Sequence, residues 1–392
     1  MEPAQPLRIL PGATIGILGG GQLGRMLALT GQAMGYRFVT LDPTPDSPCG
    51  QVCQRQIVAS YGDEQSAREM AALAQVITYE FENVNAQVAL ALEQQSYVPQ
   101  GSNLLRTTQH RLREKQAISA AGIPVAPYVP IHTLSELREA FHSFGTSCVL
   151  KTATGGYDGK GQVVLHRQDQ VAEAHMQLGS GSVELVLEQF IVFERELSVI
   201  AVRGLDGEVR TFPPAENVHL GGILHTSVVS PQTFSPEIVV RAQQLARTLA
   251  QSLEVVGLLA VEMFLTKEGQ LYVNELAPRP HNSGHYTMDA CNVSQFEMHL
   301  RAICGLPLPE PSLLTPVVMV NLLGEHMTPL QQWLQQGGER MLPDGVTAKI
   351  HLYGKSEAKL GRKMGHVNLL TDDPAKAMQW IQQANIWPAN KS

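Results

Sequence analysis

The sequence predicts an α/β protein with more than one domain, on three observations. Residues 14–42 alternate strand, glycine turn, helix and strand; a second glycine-rich loop at 155–162 follows a strand lysine; and 257–285 reads as a hairpin carrying two carboxylates and ending in a polar loop. At 392 residues the chain is long enough for two or three domains, each with its own core. A 44% hydrophobic and 17% charged composition is ordinary for a soluble globular protein, and a net charge of −7 argues against a general nucleic-acid or membrane-surface binder. Five scattered cysteines without a C-x-x-C suit reduced thiols rather than a disulfide framework or zinc site. The start, MEPAQPLRILPGATIG, lacks the apolar core of a signal peptide, and no apolar run is long enough to span a bilayer. The expectation is a cytoplasmic protein with neither nucleic acid nor membrane as partner.

Taken in order, TIGIL leads into GGGQLGRM, an apolar-periodic helix to Gly35, and RFVTLD. Gly19, Gly21 and Gly24 satisfy G-x-G-x-x-G, and Asp42 ends the next strand at the spacing of a ribose-binding acid. Backbone N–H groups at such a turn, with a helix N-terminus behind them, form a phosphate site; tight packing is the plainer use of the same glycines. QVITYEFENV (75–84) is a strand whose carboxyl end carries Glu80 and Glu82, where open α/β sheets place ligands. A solvated loop charge is the commoner fate of either one. SYVPQG begins another βα unit.

The texture changes at Thr107. TTQHRLREKQAISAAG reads as one helix with Arg111 and Lys115 a turn apart on one face, stopping at Gly122. SCVLKT (147–152) is a strand, GGYDGKGQ (155–162) a glycine loop, and VVLH the next strand. A strand lysine, Lys151, followed by a loop whose amides can fold over phosphates makes a nucleotide clamp, though not a Walker A motif. SVELVLEQFI (182–191) is a strand carrying Glu188, and FERELSVIAVRG is the next, with Glu196. A strand-to-linker backbone there can pair with an adenine edge while a carboxylate accepts from ribose hydroxyls. ENVHLGGILHTSVVSP (216–231) is polar and glycine-bearing, and an amphipathic helix over 238–252 packs beneath the hairpin.

The hairpin joins β-rich runs at 259–265 and 271–276. With Glu268-Gly269 as a two-residue loop, Glu262 falls opposite Glu275 on the same face. Carboxylates so placed have Cβ atoms about 5 Å apart, and like charges there are destabilising. Their neighbours Val261, Met263, Val273 and Leu276 are apolar, which raises the desolvation cost. A divalent cation resolves the conflict, with Asn274 as a further oxygen ligand; a bulge that turns one carboxylate outward resolves it equally well. PRPHNSGH then sets Arg279, His281, Asn282 and His285 in one short loop suited to an oxyanion. Beyond it come a helix over 294–305 with Phe296, Leu300 and Ile303 inward, the β-rich runs VVMVNLLG, TAKIHLYGK (347–355) and KLGRKMGHVNLL (359–370), and a capping helix. Lys355, Lys359, Arg362 and Lys363 form a cation cluster that serves a phosphate or a solvated face.

Together, GGGQLGRM, EFENV, LKTATGGYDGKGQ, VLEQF, ENVHLGGIL, VNELAPRPHNSGH and GRKMGHVNL, in this order over roughly residues 14–370, resemble the ATP-grasp superfamily. Within it the pattern is similar to the N5-carboxyaminoimidazole ribonucleotide synthases. The resemblance implies an ATP-grasp fold: a Rossmann-like N-terminal domain (1–106), a central lid domain (107–187) and a C-terminal domain (188–392), the last two α+β and sandwiching ATP. It implies Arg111 and Lys151 on the ATP phosphates, Gly155, Gly156, Tyr157, Asp158, Gly159, Lys160 and Gly161 as the lid loop, Glu188, Gln189, Phe190 and Ile191 as the adenine hinge, and Glu196 and His219 as further nucleotide contacts. Glu262, Asn274 and Glu275 match ligands for two Mg²⁺ ions. Arg279, His281 and Asn282 match a bicarbonate-binding group. Gly21, Gln22, Leu23, Glu80, Tyr157, Asp158, Lys355 and Arg362 match the site for 5-aminoimidazole ribonucleotide.

The implied reaction phosphorylates bicarbonate to carboxyphosphate, which carboxylates the ribonucleotide amine while His281 or Glu80 manages a proton; a homodimer is usual in the family. Two positions depart from the family pattern: His110 stands where many members have Asp, and K-L-G-R-K replaces R-P-G-R-K, with Lys359 and Leu360 at the changed positions. Three rival readings use the same residues. One is a formate-dependent glycinamide ribonucleotide transformylase on the same frame, against which YDGKG and GRKMGH argue. Another is a nicotinamide-dependent oxidoreductase built on Gly19, Gly21, Gly24 and Asp42. The third is a non-catalytic nucleotide-binding regulator.

Overall fold

A computed structural model describes residues 8–156, 160–179 and 183–387. Strands β1 (Thr14–Leu18), β2 (Arg37–Asp42), β3 (Arg55–Val58) and β4 (Val76–Tyr79) form a parallel sheet in the order β3-β2-β1-β4. Apart from a half-exposed Thr14 and an exposed Arg37, the residues of β1, β2 and β4 are buried. That is why these strands read as apolar runs rather than alternating ones. SYVPQG forms no strand: Tyr97 only accepts a hydrogen bond from Ile77 N (2.9 Å) before the helix Asn103–Thr108.

The single helix expected from Thr107 is two, Asn103–Thr108 and Arg111–Ala120, with His110 extended between them. At the break the Arg111 N–H donates to Ala153 O (2.8 Å), just past the strand Cys148–Thr152.

Strands β5 (Tyr128–Ile131), β6 (Cys148–Thr152), β7 (Gln162–Leu165) and β8 (Leu185–Gln189) form an antiparallel sheet ordered β5-β8-β6-β7. The third sheet has nine strands: β9 (Arg195–Arg203), β10 (Val209–Thr211), β11 (Ala215–Leu220), β12 (Ile223–Val229), β13 (Gly257–Leu265), β14 (Leu271–Ala277), β15 (Val317–Leu323), β16 (Thr347–Leu352) and β17 (Lys363–Leu370). Its order is β14-β13-β9-β11-β12-β15-β17-β16, with β10 on β9. The polar stretch 216–231 is thus a hairpin, turning at Gly221 and Gly222, both at positive φ.

Under the sheet, helix Pro236–Ser252 lays Ala242, Ala246, Leu249 and Ala250 against Leu259, Val261 and Met263. The helix Gln295–Ile303 turns Phe296, Leu300 and Ile303 inward, against Leu27 and Phe38 beside the first sheet. Burying three such side chains contributes about 1.5–3 kcal/mol each. His299 Nε2 adds a contact to Thr78 Oγ1 (2.8 Å), and Gln100 Nε2 donates to Pro278 O (3.1 Å). These contacts fix the carboxyl end of β4 beside the loop after β14.

Candidate active site

A cavity of about 490 Å³ opens among the three sheets. Its metal-side wall is the β13–β14 hairpin. Near the turn the strands pair Leu265 with Leu271, Phe264 with Tyr272 and Met263 with Val273, one residue off the register of a two-residue loop. The chain closes through Thr266 N and Gln270 O (2.9 Å) around three residues, with Gly269 left-handed (φ +77°). The expected two-residue loop is therefore incorrect. A bulge at Asn274 then shifts the register again, so that Glu262 does pair with Glu275. Without the bulge, Asn274 would face Glu262. Glu262, Asn274 and Glu275 all line the cavity.

The carboxylates differ in setting. Burial pushes the Glu262 carboxyl up, but a His281 hydrogen bond and the nearby charges of His281, His219 and Arg279 outweigh it and hold it at about 2. His281 Nε2 lies 3.1 Å from Glu262 Oε1. Glu275 is 44% exposed and 3.5 Å from Arg111 Nη1. Behind them Glu114, raised to about 8 by burial and by the Glu275 charge, accepts the Leu276 N–H at 2.8 Å.

The loop after β14 continues the same wall, with His281 against Glu262. Arg279 forks onto Glu82 through Nε and Nη2, the latter 2.9 Å from Oε1. Burial would raise the Glu82 carboxyl, but Arg279 holds it down at about 2. His281 Nδ1 lies 2.8 Å from Ser283 Oγ. Both amide atoms of Asn282 are buried with no partner among the described residues, although Asn282 lines the cavity. An unsatisfied buried amide is costly, and a ligand at this wall would complete it.

On the nucleotide side, Lys151 and Lys115 reach Glu188 Oε2 at 3.0 and 3.1 Å. Lys115 lies behind the wall, whereas Arg111, Lys151, Gly155, Gly156, Lys160 and Glu188 line it. Gln189, Phe190, Ile191, Glu196 and His219 do so as well, with His219 Nδ1 2.8 Å from Glu196 Oε2. Gly161 lies outside the lining and accepts the Thr152 N–H at 2.9 Å. Tyr157, Asp158 and Gly159 lie outside the described residues.

At the glycine turn, Gln22 and Leu23 line the cavity, but Gly21 and Glu80 stand behind it. The Glu80 carboxylate accepts from the N–H groups of Gly21 and Gly24, and Asp42 Oδ2 accepts from Gly20 N (2.7 Å) and from the Tyr61 hydroxyl. The turn thus spends these N–H groups on the chain's own carboxylates, which corrects the reading of it as an open phosphate cradle. Asp42 is likewise engaged internally, which removes the ribose acid of the oxidoreductase reading. Burial raises Glu80 to about 7. Lys355 Nζ donates to Lys363 O (2.8 Å) and Arg362 Nη1 to Glu357 O (3.0 Å); neither lines the cavity, whereas Lys363 does.

Several lining residues escaped the sequence reading: Glu114 and the stacked pair Phe193–Phe264 (4.5 Å between centroids); of the expected cation cluster, Lys363 is the member that lines the cavity. Glu82 carried only a weak signal, as one carboxylate of EFENV. A glutamate three residues beyond Arg111 on the same helix was a clue to Glu114.

Hard oxygen donors suit Mg²⁺, which is held by one or two carboxylates plus substrate phosphates rather than by a full protein cage. Glu262, Glu275 and Asn274 fit that requirement. No group of three His, Cys, Asp or Glu gathers as a metal site among the described residues, so the nucleotide would have to complete the coordination.

Three family models match the chain: a ribonucleotide synthetase preATP-grasp domain over residues 12–109, an ATP-grasp domain over 116–296, and a phosphoribosylaminoimidazole carboxylase C-terminal domain over 317–379. N5-carboxyaminoimidazole ribonucleotide synthase of Bacillus subtilis is 48% identical over 97% of this chain and 96% of its own. A crystal structure of an ADP complex of N5-carboxyaminoimidazole ribonucleotide synthetase aligns with a TM-score of 0.92 at 51% identity, covering 98% of this chain and 99% of that one. The Aspergillus clavatus synthase, in complex with ADP and 5-aminoimidazole ribonucleotide, aligns with a TM-score of 0.86 at 31% identity, over 95% and 98%. The chain belongs to the N5-carboxyaminoimidazole ribonucleotide synthase family of ATP-grasp ligases.

Proposed function

We propose that the protein carboxylates 5-aminoimidazole ribonucleotide to N5-carboxyaminoimidazole ribonucleotide, with cleavage of ATP to ADP and phosphate, in purine biosynthesis. The observation that carries this reading is one cavity wall. The Glu262–Glu275 pair lies beside Arg279, His281 and the unsatisfied Asn282, facing the Lys151 and Arg111 side chains. The complex of the Aspergillus clavatus relative with ADP and 5-aminoimidazole ribonucleotide supports the nucleotide and the ribonucleotide as substrates. The three-domain division at 106 and 187, a cytoplasmic location and a homodimer belong to the same proposal.

Bicarbonate is a poor electrophile, because its carbon carries no good leaving group. Transfer of the ATP γ-phosphoryl to a bicarbonate oxygen gives carboxyphosphate, whose phosphate can leave. Lys151 and Arg111 hold the phosphates, and Gln189, Phe190 and Ile191 the adenine edge. Glu196 and His219 take the ribose end. Glu262, Asn274 and Glu275 would hold Mg²⁺, which supplies charge neutralisation on the phosphates when bound. Arg279, kept in plane by Glu82, has N–H groups left for bicarbonate, and the Asn282 amide completes the contact. The exocyclic amine of the ribonucleotide then attacks the activated carbon as phosphate departs. His281, which lines the cavity, can accept the proton the amine sheds, whereas Glu80 is engaged by Gly21 and Gly24 behind the wall.

A phosphate-release assay with ATP, Mg²⁺ and bicarbonate tests the proposal. Release should rise on adding 5-aminoimidazole ribonucleotide and stay at background with glycinamide ribonucleotide and formate. The opposite pattern would assign the chain to a formate-activating ligase.

A further inference from the structure

We infer that two buried side-chain amides, those of Gln100 and Gln295, are positioning residues that hold the loop after β14 at both ends, and so set where Arg279, His281 and Asn282 stand around bicarbonate. This rests on the reading of that loop as the bicarbonate site. The chain there is Pro278-Arg279-Pro280-His281-Asn282. Proline has no N–H, so of residues 278–281 only Arg279 and His281 carry a backbone donor, and a ladder continuing from β14 is interrupted. Among the described residues, the backbone of 278–281 is tied to elements outside the loop through these two amides alone. The Gly284 N–H also reaches His281 O (3.0 Å), but that bond curls the loop on itself.

Gln295, fully buried at the start of the helix Gln295–Ile303, grips both polar groups of one residue. The His281 N–H donates to its Oε1 (2.9 Å), and its Nε2 donates to His281 O (2.8 Å). Gln100, also buried, stands at the other end. Its Nε2 donates to Pro278 O (3.1 Å), while its Oε1 accepts from the Tyr79 N–H (3.2 Å) and from the Thr78 hydroxyl. A backbone N–H can only donate and a carbonyl can only accept, so neither amide can be flipped. The fit around Gln295 is close: a Cβ on Gly284 would stand 2.6 Å from its Oε1.

The two amides belong to one frame. One turn after Gln295 on the same helix, His299 Nε2 lies 2.8 Å from Thr78 Oγ1, whose proton goes to Gln100 Oε1. The Leu258 N–H donates to His299 Nδ1 (3.3 Å), which leaves Nε2 as the donor to Thr78. Both ends of the loop are thereby fixed to the joint between the helix and β4, the strand that leads to Glu82, the partner of Arg279. Neither glutamine lines the cavity, so each acts on the reaction through the placement of the loop. A small anion meets the protein at few points and is sensitive to a loop displaced by a fraction of an ångström. The ATP phosphates face Lys151 and Arg111, which stand on other elements.

The test uses the full chain. Gln295→Met keeps the length of the side chain and removes both of its bonds to His281. It should raise KM for bicarbonate about tenfold, the scale of one hydrogen bond to a charged group, while KM for ATP stays unchanged. Hydrogen exchange followed by mass spectrometry should quicken in the peptide that contains His281, whose N–H loses its acceptor. Should that variant fail to fold, Gln100→Met frees the other end and should give the same split between the two KM values. Asn282→Ala is the control, because Asn282 itself lines the cavity, and its bicarbonate KM should rise as well. A bicarbonate KM unmoved in the glutamine variants but raised in Asn282→Ala overturns the inference and leaves the bicarbonate site standing. Unchanged exchange in Gln295→Met, or a KM for ATP that rises in step with that for bicarbonate, also overturns it. An unmoved bicarbonate KM in Asn282→Ala overturns the placement of bicarbonate at this loop, and the inference with it.

Discussion

Two carboxylate-bearing regions of this molecule treat their charges in opposite ways. At the glycine turn, Glu80 and Asp42 are turned inward onto the N–H groups of Gly20, Gly21 and Gly24. At the hairpin, Glu262 and Glu275 stand side by side on one cavity wall, and Asn282 nearby has no internal partner among the described residues. The first region is closed on itself; the second is incomplete without a ligand. The same residue types make a structural joint where their partners are internal and a reactive site where they are not.

The largest effect should come from the open region. Glu275→Gln should lower ribonucleotide-stimulated phosphate release on the order of a hundredfold to a thousandfold, as loss of one transition-state electrostatic contact does. Its melting temperature should hold or rise, because the change relieves repulsion between paired carboxylates. A large loss of stability with activity retained would reverse the comparison.

Glu82→Ala comes next. It leaves the largely buried Arg279 guanidinium without its fork and should cost about 3 kcal/mol in urea unfolding. The loss should depend on pH in a stated direction. Glu82 sits at about 2 when folded, below its ordinary value of 4.5, so its contribution is present above pH 4.5 and vanishes as pH falls toward 2. Wild type and variant should therefore converge in acid.

Glu80 predicts the opposite slope. Its folded value of about 7 lies above 4.5, so the folded state binds the extra proton. Stability should decline as pH rises from 4.5 to 7, by on the order of 2–3 kcal/mol, and level off above. Glu80→Gln should flatten that window, read by thermal melts across pH. The smallest effect belongs to the turn of the hairpin: Gly269→Ala, at φ +77° with open space around it, should cost about 1 kcal/mol and leave phosphate release unchanged.

What the sequence could carry was local. Apolar runs gave the buried strands β1, β2 and β4, and helical spacing placed Phe296, Leu300 and Ile303 on one inward face. The carboxylate pairing emerged because two departures cancelled: the loop is one residue longer than its Glu-Gly signal suggested, and the bulge at Asn274 restored the opposition of Glu262 and Glu275. No periodicity encodes a bulge. The hairpin at 215–229 was hidden because its buried positions include Asn217, Thr226 and Ser227, which break the apolar alternation of a strand. The fork between Arg279 and Glu82 joins residues 197 apart, and only the docking of the first sheet on the third brings them together. The occupation of the glycine turn by Glu80 was equally beyond reach: the glycine spacing is the same whether the N–H groups meet a phosphate or a carboxylate from another strand.

The central claim is that Glu262 and Glu275 share a divalent ion with the nucleotide. Mn²⁺ titration of the protein holding a non-hydrolysable ATP analogue, followed by electron paramagnetic resonance, addresses it directly. Tight binding in the wild type, weakened at least about tenfold by either Glu262→Gln or Glu275→Gln with the analogue still bound, is the predicted outcome. Undiminished Mn²⁺ binding in both variants would contradict the account.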